Sequence, residues 1–200
     1  EKNNIPDDDI ITLGTSAGAW AAFFIQSRKY YDFETLKNRI FSLLNCLGCI
    51  PILCEKHINK YFDDTFRIPQ TLIKEITKNL YISVTKIKWF GIKNILINNF
   101  QNQEDLKKCL LRSSRLPGII GFSINYLDGA FTNNQPIYNN KTIKINAITK
   151  YFNDAHIYPS GWINLFGIII PPSDKEKERL YNMGYKDTMD YFENNIINQS

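Results

Sequence analysis

The chain has 200 residues and a mass of 23.3 kDa, enough for one well-buried core but too short for two full domains. Hydrophobic residues make up 44% and charged residues 22%, which excludes a disordered or fibrous protein. The net charge of +4 comes from scattered lysines, which argues against a nucleic-acid partner and fits weak attraction to anionic lipid surfaces. We therefore expect one domain spanning residues 1–200.

Residues 40–54 are apolar, but they include Asn45 and Pro51 and are shorter than the roughly 20 residues that a membrane span needs. Residues 1–9 are polar and acidic, unlike a secretory signal. The chain has four cysteines: Cys46, Cys49, Cys54 and Cys109. A single Cys-x-x-Cys pair, with His57 as the nearest further ligand, is too little for zinc, so we predict buried free thiols and no metal or cofactor.

The first elements read as strand, sharp turn and helix. Residues 10–13 are β-branched and apolar, the run breaks at Gly14, and residues 17–26 are small and apolar without a breaker after Gly18. A second helix begins after Asp32, a plausible cap, and continues to about Pro51.

The middle of the chain alternates between helices and strands. Apolar spacing predicts a helix over residues 69–80, and β-branched runs predict strands over 80–85 and 93–98, joined by a turn that contains Gly91. Residues 103–115 are helical in pattern.

The last third of the chain starts with a short extended run, residues 124–127, which leads into the Asp128-Gly129 turn. Further patterns predict a strand over 142–148 and a charged amphipathic helix over 175–192. Strands that alternate with helices predict an α/β layer fold.

Ser16 is the candidate nucleophile. It lies in Gly14-Thr15-Ser16-Ala17-Gly18, a Gly-x-Ser-x-Gly motif between a predicted strand and a predicted helix. Small neighbours permit a sharp bend that exposes the serine hydroxyl, and the helix beginning at Ala17 directs backbone N–H groups toward a developing oxyanion.

A serine nucleophile needs a base, which in this chain could be a histidine or an aspartate. His57 and His156 are the only histidines, and Ser16, Asp128 and His156 follow the order of α/β-hydrolase triads. His156, however, lies in a stretch that reads as a loop entry, where a histidine is more often structural. Asp128 ends an extended run and precedes Gly129, which permits a tight turn; taken alone, this is an ordinary Asp-Gly turn.

Two segments together, Gly-Thr-Ser-Ala-Gly-Ala-Trp at 14–20 and Leu-Asp-Gly-Ala-Phe-Thr-Asn-Asn-Gln-Pro at 127–136, resemble the nucleophile and aspartate motifs of patatin-like phospholipases. The resemblance extends over about residues 10–192 and is strongest to the animal-type branch that contains adipose triglyceride lipase and adiponutrin. It implies a three-layer fold with a central sheet between helices. It also implies a Ser16–Asp128 dyad that cleaves fatty-acyl esters of phospholipids or glycerides, with Gly14, Ala17, Gly18 and Gly129 shaping the elbow and oxyanion site.

The resemblance further implies a lipid substrate and a cytoplasmic protein that attaches peripherally to membranes or lipid droplets. One feature departs from the family. The family has a Gly-rich oxyanion loop well before the serine, and the fifteen residues that precede Ser16 contain none, so we expect the chain to be a fragment. The alternative hypothesis is a catalytically impaired lipid-surface binding or scaffold protein with the same fold.

A small basic and aromatic loop is the remaining surface feature. Trp89 and Phe90 are flanked by Lys86, Lys88 and Lys93, a composition found at membrane interfaces and also in ordinary exposed loops.

Overall fold

The computed structural model describes residues 10–46, 51–116, 123–149, 154–164 and 172–197. The chain divides into two compact units, residues 1–136 and 137–200. The single domain expected from the chain length stays a prediction.

The first unit carries the sheet. Its elements are β1 (Thr12–Thr15), α1 (Ala17–Ser27), α2 (Phe33–Cys46), α3 (Pro51–Thr65), α4 (Gln70–Asn79), β2 (Leu80–Lys88), β3 (Gly91–Ile97), α5 (Gln103–Ser113) and β4 (Tyr126–Asp128), followed by a 3-10 turn at Gly129–Phe131. The second unit includes α6 (Asp174–Ile197) and an isolated bridge between Ile145 and Ile157.

Strand β2 is central to a mixed sheet of four strands. It pairs with β1 in parallel and with β3 and β4 in antiparallel fashion. The α/β class predicted from the alternation of elements is therefore confirmed, and it is consistent with the patatin-like fold that the resemblance implies.

The core of the first unit lies between the sheet and its helices. Phe23 of α1 packs against Phe62 and Phe66, with ring centroids 5.9 and 5.4 Å away. All three rings are fully buried, as are Leu80 and Ile82 of β2. Burying each such side chain contributes about 1.5–3 kcal/mol, so this cluster fixes α1 and α3 in place.

Helix starts follow the expected capping chemistry. Asp32 precedes α2, and its Oδ1 accepts a hydrogen bond from the backbone N–H of Thr35 at 2.9 Å, which confirms the predicted cap. Asn102 does the same for α5, accepting from Asp105 at 3.0 Å.

Two elements differ from the sequence prediction. The strand predicted over residues 142–148 is wrong, since only Ile145 forms a bridge there, and alternating isoleucines do not make a strand without a partner of matching length. Helix α3 was not predicted, although Pro51 stands at its first position, where proline is well tolerated.

Cys109 of α5 is a free, buried thiol, as predicted, and burial raises its pKa to about 11. The side chains of Cys46, Cys49 and Cys54 lie outside the described part of the structure. Across the described ranges, every helix is too short or too polar to cross a bilayer.

Candidate active site

The pairing of β2 brings Ser16 and Asp128 together. Thr15, the last residue of β1, pairs with Ser83, and Asp128, the last residue of β4, pairs with the adjacent Val84. Strand β3 pairs with both Ser83 and Val84, so β1 and β4 share the opposite edge of β2. The two strands run toward each other along that edge. Their carboxyl ends, and with them Ser16 and Asp128, therefore meet at one point of the sheet.

Ser16 has a strained backbone conformation. Its φ of 54° and ψ of −127° lie in a region that residues with a Cβ rarely occupy. The side chain makes no cap hydrogen bond to α1, so its hydroxyl is not committed to holding the helix. Strain at a residue between a strand and a helix is the geometry by which such motifs expose a serine.

Glycine is needed at one side of this elbow. A Cβ at Gly14 would lie 2.1 Å from the carbonyl oxygen of Gly18, because the first turn of α1 crosses directly over β1. Among the described residues, a Cβ at Gly18 would meet nothing within 4 Å, so these residues leave the space beside this turn open. Gly14 is thus a packing requirement, whereas Gly18 lies at an open face of the elbow.

The backbone of Ser16 is fixed by a residue of α5. The N–H of Ser16 donates to Oγ of Ser113 at 2.9 Å, and that hydroxyl donates to the carbonyl oxygen of Ser83 at 2.7 Å. Ser113 and Ser83 are both fully buried. A single hydroxyl therefore connects the strained residue to the central strand.

Asp128 is held in place by backbone contacts. Its N–H donates to the carbonyl oxygen of Arg115 at 2.9 Å, and its Oδ1 accepts from the N–H of Ala130 at 2.8 Å. Arg115 is fixed in turn by an ion pair with Glu55 of α3.

The electrostatic state of Asp128 follows from its burial. The side chain is fully buried, and Oδ2 has no hydrogen-bond partner of regular geometry among the described residues. Burial raises the pKa of this carboxyl above its ordinary value, while interaction with the Ser16 side chain and the Ala130 N–H opposes the rise. The effect of the Ser16 side chain indicates that its hydroxyl lies within interaction range of the Asp128 carboxyl.

The turn after Asp128 is anchored by polar side chains on three strands. A Cβ at Gly129 would lie 2.2 Å from the carbonyl oxygen of Ser83, so this position also requires glycine. The anchoring bonds run from Thr15 Oγ1 to Asn133 O at 2.9 Å, from Asn94 Nδ2 to Thr132 Oγ1 at 3.3 Å, and between the hydroxyls of Thr85 and Thr132 at 2.7 Å.

Sequence reasoning missed these anchoring residues and Ser113. A signal was present in β2, where Ser83 and Thr85 are polar residues within an apolar run and are both fully buried. Polar side chains in a buried strand require partners, and here most of the partners lie in the segment that follows Asp128, namely Gly129, Thr132 and Asn133.

The histidines have other surroundings. His156 lies in the second unit, where its Nδ1 accepts from the Lys144 N–H at 3.3 Å and its ring stacks on Tyr191 with centroids 6.1 Å apart. His57 lies on α3, and its Nδ1 is buried without a hydrogen-bond partner in the described structure. Among the described residues, neither imidazole forms a hydrogen bond with Ser16 or Asp128.

Ala17 begins α1, where backbone N–H groups lack partners within the helix. The positive end of the helix dipole lies at the same place. A negative charge that develops beside Ser16 would therefore be stabilised by the N–H groups and the positive dipole end at the start of α1. Within the described residues, no group of three or more histidine, cysteine, aspartate or glutamate side chains is placed to hold a metal ion.

The chain is 28% identical over 143 residues to patatin-like phospholipase domain-containing protein 4 of Homo sapiens. The match covers 58% of this chain and 56% of that protein, so the chain spans about half the length of the curated relative. No family model matches the sequence. The match supports the resemblance to the patatin-like phospholipases that the two motifs carry, and with it a lipid hydrolase family.

Proposed function

We propose that this chain carries the catalytic core of a patatin-like lipid acyl hydrolase of the animal-type branch, in which Ser16 is the nucleophile and Asp128 its acid–base partner. The observation that carries the proposal is the meeting of β1 and β4 on one edge of β2, which places a strained serine beside a buried carboxylate. The similarity to human patatin-like phospholipase domain-containing protein 4 supports the choice of substrate class.

In the proposed reaction, the Asp128 carboxylate accepts the Ser16 hydroxyl proton as Oγ attacks the ester carbonyl carbon. The tetrahedral intermediate collapses with cleavage of the acyl–oxygen bond, and Asp128 protonates the departing alcohol. Water then attacks the acyl-serine with Asp128 again as base, which releases the fatty acid and restores Ser16. Burial suits Asp128 to this work, because its raised pKa makes it a stronger base than an exposed aspartate.

The proposed oxyanion donor from this chain is the N–H of Ala17, the residue after the nucleophile. The open face beside Gly18 gives an ester room to approach the elbow. We place the reaction on phospholipid or glyceride esters at the surface of a membrane or lipid droplet on the cytoplasmic side.

The first prediction concerns the two catalytic residues. Ser16→Ala and Asp128→Asn should each lower fatty-acid release by at least about 10³-fold, since removing a nucleophile or its base removes the chemical step. The measurement is free fatty acid released from a panel of phospholipid and glyceride substrates by the full-length natural protein. Asp64→Asn, at an exposed carboxylate of α3, is the matched control.

A fluorophosphonate probe distinguishes this proposal from the scaffold alternative. The wild-type protein should be labelled on the peptide that contains Ser16, and Ser16→Ala should not. Full activity in Ser16→Ala would refute the proposed nucleophile, whereas a folded wild-type protein that neither reacts with the probe nor turns over any lipid would favour the scaffold.

A further inference from the structure

The hairpin formed by β2 and β3 ends in two exposed aromatic side chains. Trp89 is 92% and Phe90 is 93% exposed, which makes them the most exposed large hydrophobic side chains in the described structure. We refer to residues 86–93 as the hairpin tip. Neither ring stacks on another ring or on a cation within the described residues, so the fold itself does not use them.

The turn does not require aromatic residues either. Trp89 and Phe90 have negative φ angles, and the unusual backbone falls on the following residue, Gly91, with a φ of 109°. Small polar residues are the usual choice in two-residue hairpin loops. Local conformation therefore gives no reason for two large apolar side chains at this position.

Charge is distributed unevenly around the tip. Lys86 pairs with Lys93 across the two strands, so their side chains share one face of the hairpin, and Lys88 follows on that face. Ile87 and Ile92 pair on the opposite face. Like charges placed directly opposite each other destabilise a sheet, and no ion pair among the described residues engages these three lysines.

The tip extends beyond the end of β1, in the direction in which β1 runs toward Ser16. Strand β1 runs parallel to β2 and ends at Thr15, opposite Ser83, while β2 continues to Lys88. At about 3.3 Å per residue, the tip extends roughly 16 Å beyond the end of β1 in the same direction. A surface held by the tip would therefore lie ahead of Ser16, in the direction in which β1 runs.

We propose that the hairpin tip is an anchor for an anionic lipid surface, in which Trp89 and Phe90 enter the interface and Lys86, Lys88 and Lys93 contact the acidic headgroups. Aromatic rings beside lysines match the chemistry of such an interface, where apolar side chains are buried and cations are attracted by acidic lipids. The anchor deepens the proposed function by orienting the elbow toward the lipid, but its binding does not depend on catalysis.

Cosedimentation with vesicles tests this anchor. The full-length protein should bind vesicles of phosphatidylcholine with phosphatidylserine at least tenfold more tightly than vesicles of phosphatidylcholine alone. The double variant Trp89→Ala/Phe90→Ala and the triple variant Lys86→Glu/Lys88→Glu/Lys93→Glu should each lose at least tenfold in that affinity.

Control variants remove an exposed aromatic ring, or exchange three lysines for glutamate, at positions outside the hairpin tip. Trp162→Ala removes a ring that is 74% exposed, and Lys56→Glu/Lys60→Glu/Lys74→Glu alters the net charge as much as the tip variant does. Both should bind within about twofold of the wild type. Ser16→Ala should also bind normally, which separates this test from the proposed hydrolase activity.

A second readout reports insertion directly. Brominated phospholipids should quench tryptophan fluorescence in the wild type, and Trp89→Phe, which keeps an aromatic anchor, should bind normally but lose most of that quenching. Unchanged vesicle binding in both tip variants, with their far-ultraviolet circular dichroism intact, would overturn the proposal in favour of a protein partner at the tip. Equal binding of the wild type to neutral and anionic vesicles would overturn it as well.

Discussion

Ser113 shows how a single hydroxyl supports a strained residue. Its Oγ accepts the N–H of Ser16 and donates to the carbonyl of Ser83, so it satisfies two backbone groups at the point where the elbow leaves the sheet. Ser114, the next residue, also has a buried hydroxyl, but it accepts from Nε1 of Trp20 at 3.0 Å. These neighbouring serines therefore support different groups.

This difference predicts the outcome of two matched variants. Ser113→Ala should lower the free energy of unfolding by about 1–3 kcal/mol, because a buried N–H loses its partner, and should also lower kcat and the rate of fluorophosphonate labelling. Ser114→Ala should destabilise the protein similarly while leaving labelling of Ser16 within about twofold. Urea unfolding and labelling kinetics give both quantities, and equal labelling rates in the two variants would exclude a positioning role for Ser113.

Asp128 makes activity and stability depend on pH in opposite directions. Its pKa is raised in the folded state by burial, so it favours folding most below its unfolded pKa near 3.9, and this contribution is lost as the pH rises through the folded pKa. The ionised form, which the proposed reaction needs, is therefore the form that the fold tolerates less well.

The corresponding prediction has two parts. The acid limb of kcat/KM should lie above the range in which an exposed aspartate titrates, with activity falling as the pH is lowered. Asp128→Asn should abolish activity yet raise the free energy of unfolding by about 1 kcal/mol at neutral pH, with the gain vanishing in acid. Thermal unfolding at several pH values measures the gain. A variant less stable than the wild type at neutral pH would show that the charged carboxylate is well accommodated.

At the scale of elements, the crossing of α1 over β1 determines where Ser16 points. The carbonyl of Gly18 occupies the space above Gly14, so the helix can approach the strand only because position 14 lacks a side chain. The two glycines of the motif therefore have different physical roles, although the sequence pattern treats them alike.

Exchanging each glycine for alanine separates these roles. Gly14→Ala should destabilise the protein by about 1–3 kcal/mol and reduce activity strongly, since helix and strand must move apart. Gly18→Ala, which meets open space, should be neutral or stabilising by up to about 1 kcal/mol, because alanine is a better helix former. Urea unfolding midpoints of the two variants provide the comparison, and similar destabilisation by both would contradict the packing requirement at Gly14.

The elements themselves were predictable where local signals are strong. The strand–turn–helix around Ser16, the cap at Asp32 and the helix over residues 103–113 all follow from spacing and capping chemistry. Helix α3 was not predicted because Pro51 is as typical of a helix end as of a helix start. The buried residues of this region, Ile58, Phe62 and Phe66, also extend past the end of the helix, so their spacing does not mark its last residue. The full length of β2 was not predicted because two of its last three residues are lysines, and the residues that pair with this end of the strand lie on β3 and β4.

At the scale of the whole molecule, the candidate site is a product of strand register. Ser16 and Asp128 are 112 positions apart, and a resemblance could pair them while no local pattern could. Their meeting depends on β4 joining the same edge of β2 as β1, which is a long-range contact. The polar network of Ser83, Asn94 and Thr132 could not be predicted from the sequence for the same reason, since each of these residues comes from a different segment.

The candidate dyad and His156 lie in different units, and this leads to the last prediction. The described contacts that hold Ser16 and Asp128 come from the first unit, residues 1–136, whereas His156 and its partners Lys144 and Tyr191 belong to the second. His156→Ala should therefore leave fatty-acid release within about twofold of the wild type, although loss of the stacked pair lowers stability by about 0.5–1.5 kcal/mol. Tyr191→Ala is the matched control, because it removes the same stacking and keeps the imidazole. If His156→Ala lost activity and Tyr191→Ala did not, the histidine would be the base, and the reaction would require a Ser–His–Asp triad instead of a dyad.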